Sequence, residues 1–360
     1  MNRFVAKTAF ALLAIAFVMG QVQAQFTTTF AKNINPGQQN GLYYALPQTM
    51  LKLDFVIEET QLEKGPLSDY AGNYLELSDP VEYDAKEYKL LEVKLSSVAT
   101  PDPNAVFFVT LGSVRGGGKV QFDVMPNGII RSVGVGISGE EQVVDIPEFE
   151  EREVIAEVGT NDGFLGLTSA GKTNAQMAKE VSDKIEEIRK AKFYLISGDV
   201  EMASNPETFN AMYKKLDEME QRYTSLLLGN RISKRVVRTV YVIPNKEVPS
   251  QTVAKFSETE GLIIGTEGSG KMITVQTLSM NTTAPINAPS QSAVESMNYE
   301  NKVFYRIPEM ANVKVMLDGK TLIEDRMVVN QLGAMLMAPL QNTKLVYDTK
   351  TGQIVNFKMQ

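Results

Sequence analysis

The spacing of apolar residues changes twice along this chain, and each change marks a different kind of secondary structure. Residues 50–60 alternate between apolar and polar side chains, which is the period of a half-buried strand. From residue 173 to residue 229 the apolar side chains instead recur every three or four positions, as on one face of a helix. Short alternating runs return in residues 230–360. The chain must therefore combine strands on both sides of one helical block.

The helical block contains two amphipathic helices. A capping pair, Thr173 and Gln176, precedes the first helix, and Pro206 stands in the first turn of the second, which ends at Gly229. A short connection between two helices of similar length predicts an antiparallel hairpin. Each apolar stripe is wide enough to cover one neighbour. Two arrangements stay open, a projecting arm whose stripes face each other, or a hairpin that lies flat on a sheet as half of its core.

The flanking segments are interpreted as two β-rich regions. Asn127 and Gly128 between two apolar runs predict a tight hairpin, and Pro101-Asp102-Pro103-Asn104 predicts a turn. We therefore predict an α+β, mainly β fold, with two antiparallel, sandwich-like β-rich regions and the helical hairpin between them. The predicted segments are a signal peptide (1–24), an N-terminal β-rich domain (25–150), an acidic and glycine-rich linker (151–172), the helical hairpin (173–229) and a C-terminal β-rich domain (230–360).

The first residues have the order of a secretory signal peptide. Arg3 and Lys7 precede an apolar run that is followed by Val22-Gln23-Ala24, a small-x-small cleavage site. The apolar run is shorter than the roughly 20 residues that a membrane-spanning helix needs. A membrane anchor is the competing interpretation. No cysteine is present for lipid attachment. We expect an exported protein in the periplasm or on the periplasmic face of the outer membrane, with no transmembrane segment in the mature chain.

Two amino acids that often perform chemistry are missing from the sequence. The chain has no cysteine and no histidine, which removes thiol nucleophiles, thiolate metal sites and the most common general base. Loss of Arg3 and Lys7 would lower the formal net charge from -7 to -9, and an acidic chain is a poor partner for nucleic acid. We predict no enzymatic activity, no cofactor and no metal site.

The acidic segment at residues 140–157 leaves one alternative to that prediction. It could serve as a docking site for a basic partner or as a calcium site, because calcium prefers oxygen ligands. Its acids have no regular spacing, however, and a solvated linker is the favoured interpretation.

One catalytic alternative survives the absence of histidine. Penicillin-recognising serine enzymes use the order S-x-x-K, S-x-N and K-T-G, in which a lysine helps to activate the serine. The chain matches this order with Ser169 and Lys172, with Ser279 and Asn281, and with Lys350, Thr351 and Gly352. Three patterns this short arise by chance, and the serine precedes a helix cap in a glycine-rich loop. We keep this activity only as a remote alternative.

Six short motifs occur in an order that is typical of one family. They are GLYYALPQT (41–49), GP…YA…YL (65–75), LISGD (195–199), KFSETEGLI (255–263), YRIP (305–308) and NQLGAMLMAPL (330–340). Together they resemble the secreted Bacteroidota family known as domain of unknown function 4831. The family's first motif has a lysine where this chain has Gln48. The resemblance implies a periplasmic or outer-envelope location and implies no activity.

These observations favour a non-catalytic envelope protein that binds other molecules or serves as an accessory component of an outer-membrane assembly. Its expected partner is an envelope or outer-membrane protein. A carbohydrate-binding module is the alternative, weakened because sugars stack on exposed aromatic rings and the chain has no tryptophan. The tyrosines at positions 43, 44, 70 and 74 are expected to close the edge of a core.

If the signal peptide is cleaved as predicted, the mature protein should begin at Gln25 and occur in a soluble periplasmic or peripherally bound fraction. Mass spectrometry of the N-terminal peptide after cell fractionation measures this. Recovery of an intact form that begins at Met1 and stays integrated in the membrane would contradict it.

Overall fold

The computed structural model describes residues 26–34, 40–74, 79–111, 120–135, 171–197, 206–265, 267–283, 286, 299–340 and 343–359. The strands are β1 (Phe26–Phe30), β2 (Gly41–Glu63), β3 (Ala85–Leu111), β4 (Val120–Val124), β5 (Ile130–Val135), β6 (Asn230–Val242), β7 (Ser250–Ser257), β8 (Gly261–Ile264), β9 (Lys271–Ser279), β10 (Tyr299–Glu300), β11 (Lys302–Leu317), β12 (Lys320–Pro339), β13 (Thr343–Tyr347) and β14 (Ile354–Met359). The helices are α1 (Ala71–Tyr74), α2 (Asn174–Ser197) and α3 (Pro206–Leu228), and short 3-10 turns cover Ala31–Asn33 and Ser68–Tyr70.

The described strands form three antiparallel sheets, which confirms the predicted mainly β, α+β fold. Sheet I has the order β10-β1-β3-β2-β6, sheet II the order β12-β11-β9-β7-β8, and sheet III the order β14-β13-β5-β4. Strands from before and after the helices share sheets I and III. The sheets therefore do not divide at the domain boundaries that the sequence suggested, because β6 and β10 complete a sheet begun by β1, β2 and β3.

Two separate hydrophobic cores lie along β2 and β11. We call them the lower core, around Leu51, Leu53 and Phe55, and the upper core, around Tyr44, Phe107 and Phe304. In the lower core, alternate residues of β2 from Leu51 to Ile57 are buried against Val313 and Val315 of β11 and against Ile273 of β9. Sheets I and II therefore pack face to face, as in a sandwich. The upper core is aromatic and joins sheet I to sheet III and to the start of β11.

Phe304 lies at the centre of the upper core. Its ring stacks on Phe107 with 4.3 Å between the centroids. Its backbone N–H donates to the Tyr44 hydroxyl (3.0 Å), and its carbonyl accepts from the Tyr347 hydroxyl (3.2 Å). Burial raises the pKa of both tyrosines above the ordinary value. Two neutral phenols thus satisfy both backbone polar groups of a buried residue.

The two longest antiparallel pairs are interrupted in matching ways. Between β2 and β3, Leu46 faces the four residues 102–105, since the register passes from Ala45↔Val106 to Pro47↔Pro101. Between β11 and β12, Pro308 faces the four residues 330–333, where the register passes from Ile307↔Ala334 to Glu309↔Val329. We call residues 102–105 and 330–333 the two bulges. Each bulge lies between the upper and the lower core.

The predicted turn at residues 101–104 is wrong, because β3 continues through it. The turn chemistry is nevertheless present. The Asp102 carboxylate accepts a hydrogen bond from the backbone N–H of Asn104 (2.9 Å), as in an Asx-turn. The local turn is accommodated within the bulge. On both sides of the bulge, β3 pairs with β2 in the same antiparallel direction.

The helical hairpin has its own small core. The buried residues of this cluster come from α2, from α3 and from the segment around α1: Leu67, Ala71, Ala178, Val181, Ile185 and Leu227. Within the described residues, no strand side chain belongs to the cluster. The hairpin is therefore an arm whose stripes face each other, with residues 65–74 as its base. The predicted capping pair is confirmed, because Thr173 and Gln176 exchange two hydrogen bonds.

The distal half of the arm is held by charges. The ammonium of Lys192 on α2 contacts Asp217 (2.7 Å) and Glu220 (2.8 Å) on α3, and Arg189 also binds Glu220 (2.7 Å). Desolvation opposes the charged form of Lys192, but its hydrogen bonds to the two carboxylates raise its pKa. For Glu220, desolvation is likewise outweighed by the bonds to Lys192 and Arg189, so its pKa is lowered. These bridges fix the two helices side by side.

Substitution of Ile185 by Asp should unravel the arm and leave the sheets folded. Ile185 is 1% exposed in the arm cluster, and an unpaired charge buried there costs several kcal/mol. Ile196→Asp, at a position 63% exposed on the same helix, is the matched control. Far-UV circular dichroism should show loss of helix for Ile185→Asp alone. Loss of cooperative melting of the strands as well would mean that the arm belongs to the sheet core.

Candidate functional site

A cleft of about 1090 Å³ opens where the two bulges meet. Its walls come from β2, β3, β11 and β12, from the loop at residues 243–249 between β6 and β7, and from the residues that follow β9. The polar residues that line it include Gln48, Asp102, Asn104, Asn245, Lys246, Glu247, Gln251, Asn281, Arg306, Glu309 and Gln331. Three of the motifs behind the family resemblance, those at residues 41–49, 305–308 and 330–340, come together at this cleft.

Arg306 forms the floor of the cleft. Its guanidinium donates to the Asp102 carboxylate (2.8 Å) and to the backbone carbonyl of Pro47 (2.7 Å), and its backbone N–H donates to the carbonyl of Gly352 (2.9 Å). Both charged side chains are less than a tenth exposed. One residue of β11 therefore ties together β2, the bulge of β3 and the turn between β13 and β14.

Glu309 forms the adjoining wall and holds the chain that leaves β9. Its buried carboxylate accepts hydrogen bonds from the backbone N–H groups of Thr282 (2.7 Å) and Thr283 (3.0 Å) and from both threonine hydroxyls. Burial by itself would raise the pKa of this carboxyl. The four hydrogen bonds outweigh burial and lower the pKa to about 2. The carboxylate is thus ionised at neutral pH, and both of its oxygens accept hydrogen bonds from within the protein.

The bulge of β12 is fastened to β2 by side chains that replace strand pairing. The Gln331 carboxamide accepts from the backbone N–H of Thr49 (2.9 Å) and donates to its carbonyl (2.9 Å). The backbone N–H of Asn330 donates to the Thr49 hydroxyl, and the Asn330 amide donates to the carbonyl of Lys350 (2.6 Å). Gly333 closes this bulge, because a Cβ at that position would collide with the carbonyl of Ile307.

The tip of the arm is a second candidate surface, of a different kind. Phe193 is 67% exposed and Ile196 is 63% exposed, and Tyr194, Met212 and Tyr213 are also exposed. We call these five residues the arm tip. Single exposed apolar side chains are ordinary on protein surfaces, but a group of adjacent ones marks an interaction surface. Phe193 and Tyr194 also contact each other edge to face.

The residues of the serine-enzyme alternative are held by separate contacts. Ser169 lies outside the described residues. The Lys172 ammonium pairs with Glu180 at the start of α2 (2.6 Å), whereas the Ser279 hydroxyl accepts from the backbone N–H of Asn281 at the cleft (3.0 Å). Lys350, Thr351 and Gly352 form the turn between β13 and β14. This alternative stays an untested prediction.

The tyrosines considered for sugar stacking have other surroundings. Tyr44 is buried in the upper core, Tyr70 and Tyr74 pack against the arm cluster, and only Tyr43 is exposed, with its ring against Phe108. The acidic segment at residues 140–157 and the signal peptide lie outside the described residues. Within the described part of the chain, no group of three acidic side chains could hold a metal ion, and no helix there has the length and hydropathy to span a membrane.

Sequence reasoning missed every side chain on the cleft floor. Arg306, Glu309 and Gln331 lie in runs that predict ordinary strands, and Asp102 lies in the run that predicts a turn. One signal was available. A proline interrupts both strand pairs, Pro47 in β2 and Pro308 in β11, and a proline in the middle of a strand indicates a bulge or an edge.

Comparison with known protein families identifies the family of this chain. The family model described as a domain of unknown function (DUF4831) matches residues 40–355. A search of curated proteins found no match, and a search of solved structures found none either.

Glu309→Gln should destabilise the protein at neutral pH by up to about 3 kcal/mol, since the pKa is lowered from 4.5 to about 2. Because the folded-state pKa is the lower one, this stabilisation is complete above pH 4.5 and is lost as the pH falls towards 2. Urea unfolding of both proteins at pH 7, 4 and 3 measures it. The difference in unfolding free energy should shrink as the pH falls, and a constant difference would contradict the assignment.

Proposed function

The chain belongs to the family described as domain of unknown function (DUF4831), and we propose that it is an exported, non-catalytic component of the cell envelope that docks another envelope protein through its arm tip. Export rests on the order of charges, apolar residues and small residues in positions 1–24. The absence of catalysis rests on a sequence without histidine or cysteine.

The observation that carries this proposal is the separation of the arm from the sheets. The buried residues of α2 and α3 pack on each other and on the arm base, so the arm needs no further partner for its proximal half. Its distal half instead leaves five large apolar side chains in water. Aromatic residues and methionine are enriched at protein interfaces, and they occupy four of these five positions.

A contact between Lys192 and Tyr213 orients one aromatic ring of the arm tip for docking. Lys192 is paired within the arm and lies over the ring of Tyr213, 5.4 Å from its centroid. This contact favours one orientation of the aromatic ring before any partner arrives. A preorganised anchor loses less conformational freedom on binding than a flexible one.

A carbohydrate-binding role has less support. No aromatic residue is among those that line the described part of the cleft, and sugar recognition relies on stacking against aromatic faces. Of the four tyrosines in question, Tyr44 is buried in the upper core, and Tyr70 and Tyr74 pack against the arm cluster.

Site-specific photocrosslinking in intact cells tests the proposal. A photoreactive residue at Phe193 or Ile196 should capture one and the same envelope protein. The control position is Lys184, which is exposed on the proximal half of α2 and should not capture that protein. The double variant Phe193→Ser/Ile196→Ser should lose the partner in co-purification while it keeps its melting temperature.

Two results would contradict the proposal. The first is equal capture of many proteins at the tip and control positions, because that indicates random collision. The second is undiminished co-purification of the partner with the Phe193→Ser/Ile196→Ser variant, because docking would then use another surface.

A further inference from the structure

The outer edge of sheet I is an interaction surface that is independent of both the arm tip and the cleft. Along its whole length β6 pairs with β2, from Val242↔Leu51 to Asn230↔Glu63. Among the described strands, none pairs with the other side of β6. Alternate residues of such an edge strand direct their N–H and C=O groups away from the sheet. The 13 residues of β6 therefore form a template for one more extended segment.

The exposed side chains of this edge are basic. Four cationic residues of β6 are exposed, and the strand contains no acidic residue: Arg231, Lys234, Arg235 and Arg238. Arg231 and Lys234 have acidic partners. Arg235 and Arg238 make no ion pair with any described residue. Because they are three positions apart in a strand, they lie on opposite faces of it. The edge thus offers a positive charge on each face to an incoming strand.

The chain itself contains a segment of the opposite charge. Residues 140–157, which lie outside the described residues, hold eight acidic residues and only one basic residue, Arg152. Five of the acids fall at positions 148, 150, 151, 153 and 157, in a run that follows Pro147 and contains no proline. Every N–H group of this run can therefore take part in a strand ladder. Opposite charges on neighbouring strands stabilise their pairing.

The connectivity of the chain fits the length and direction of β6. The strand β5 starts beside Ala45 and packs in the upper core, and the next described helix, α2, packs on the arm base beyond the far end of β2. From Ala45 to Glu63, β2 covers about 60 Å. Residues 136–170 can reach about 115 Å when extended. They lead from the upper core towards the arm, which is the direction antiparallel to β6.

We propose that the acidic run at residues 148–157 adds to the free edge of β6 as an antiparallel strand of the same chain. Its carboxylates pair with Arg235 and Arg238 on the two faces of β6. The remaining residues on each side of the run are sufficient to connect it to β5 and to α2. Because the run is tethered to the sheet, its effective concentration at the edge is high. Covering an edge in this way also prevents pairing between copies of the protein.

Disulfide trapping in the mature protein tests this proposal. The chain has no cysteine, so two introduced cysteines give an unambiguous product. Val237→Cys in the middle of β6 is combined with a cysteine at each position from 148 to 157 in turn. After mild oxidation, mass spectrometry should find a disulfide within one chain at one position, and a weaker one at its second neighbours, because alternate residues of a strand share a face. Val328→Cys, exposed on the edge strand β12, is the matched control and should give no such pattern.

Charge reversal tests whether the basic residues select the acidic run. Arg235→Glu/Arg238→Glu should lower the yield of the disulfide by about fivefold or more, since like charges on neighbouring strands repel. Adding Glu150→Lys/Glu151→Lys to that variant should restore the yield. Lys320→Glu/Arg326→Glu changes two exposed cations of β12 and should leave the yield unchanged. All these positions are exposed or outside the sheets, so every variant should keep the wild-type melting temperature.

Three results would overturn the proposal. A disulfide at none of the positions 148–157, or the same yield with Val328→Cys, would mean that the run does not occupy this edge. Disulfides formed only between two chains would mean that a second copy supplies the strand. A yield that does not respond to Arg235→Glu/Arg238→Glu would mean that the charges of β6 only keep the edge in water.

Discussion

The buried ion pair between Arg306 and Asp102 is the contact on which the arrangement of the sheets depends. Each of the two long strand pairs is interrupted by a four-residue bulge, and a bulge leaves backbone groups without ladder partners. Arg306 meets that demand from the other strand pair by donating to Asp102 and to the carbonyl of Pro47. A buried ion pair contributes little net stability over an apolar replacement, but it is costly to break. Its effect is therefore to fix which strands lie together.

Most strands and helices could be predicted from local patterns of apolar residues, whereas the contacts that form the cleft could not. The alternation at residues 50–60 and the helical period after Thr173 depend on one strand or one helix facing one core, so the sequence reports them directly. Key residues of the cleft instead bind partners more than two hundred positions away, as Arg306 does with Asp102 and Gln331 does with Thr49. Strand propensity cannot reveal such a partner. The prolines at positions 47 and 308 indicate an interruption, but only the fold shows that both interruptions meet.

The arm, unlike the cleft, depends mainly on residues that its own sequence pattern identifies. The arm is built from contacts within residues 65–74 and 174–228, and its caps and stripes were visible in the sequence. What could not be read there is the choice between packing on a sheet and projecting from it. Sheets I and II bury one face of each against the other in the lower core, and among the described residues the arm cluster contains no strand side chain. The helices are left to pair with themselves and expose their distal end.

A double-mutant cycle on Arg306 and Asp102 tests the central claim most directly. Arg306→Met leaves the Asp102 carboxylate buried without a counter-charge, and Asp102→Leu leaves the Arg306 guanidinium buried without one. Each single variant should lower the unfolding free energy by about 3–5 kcal/mol. If the pair acts as a unit, the double variant should lose no more stability than either single variant, and the coupling should equal several kcal/mol. Losses that simply add would show that the two side chains act independently, which contradicts the account.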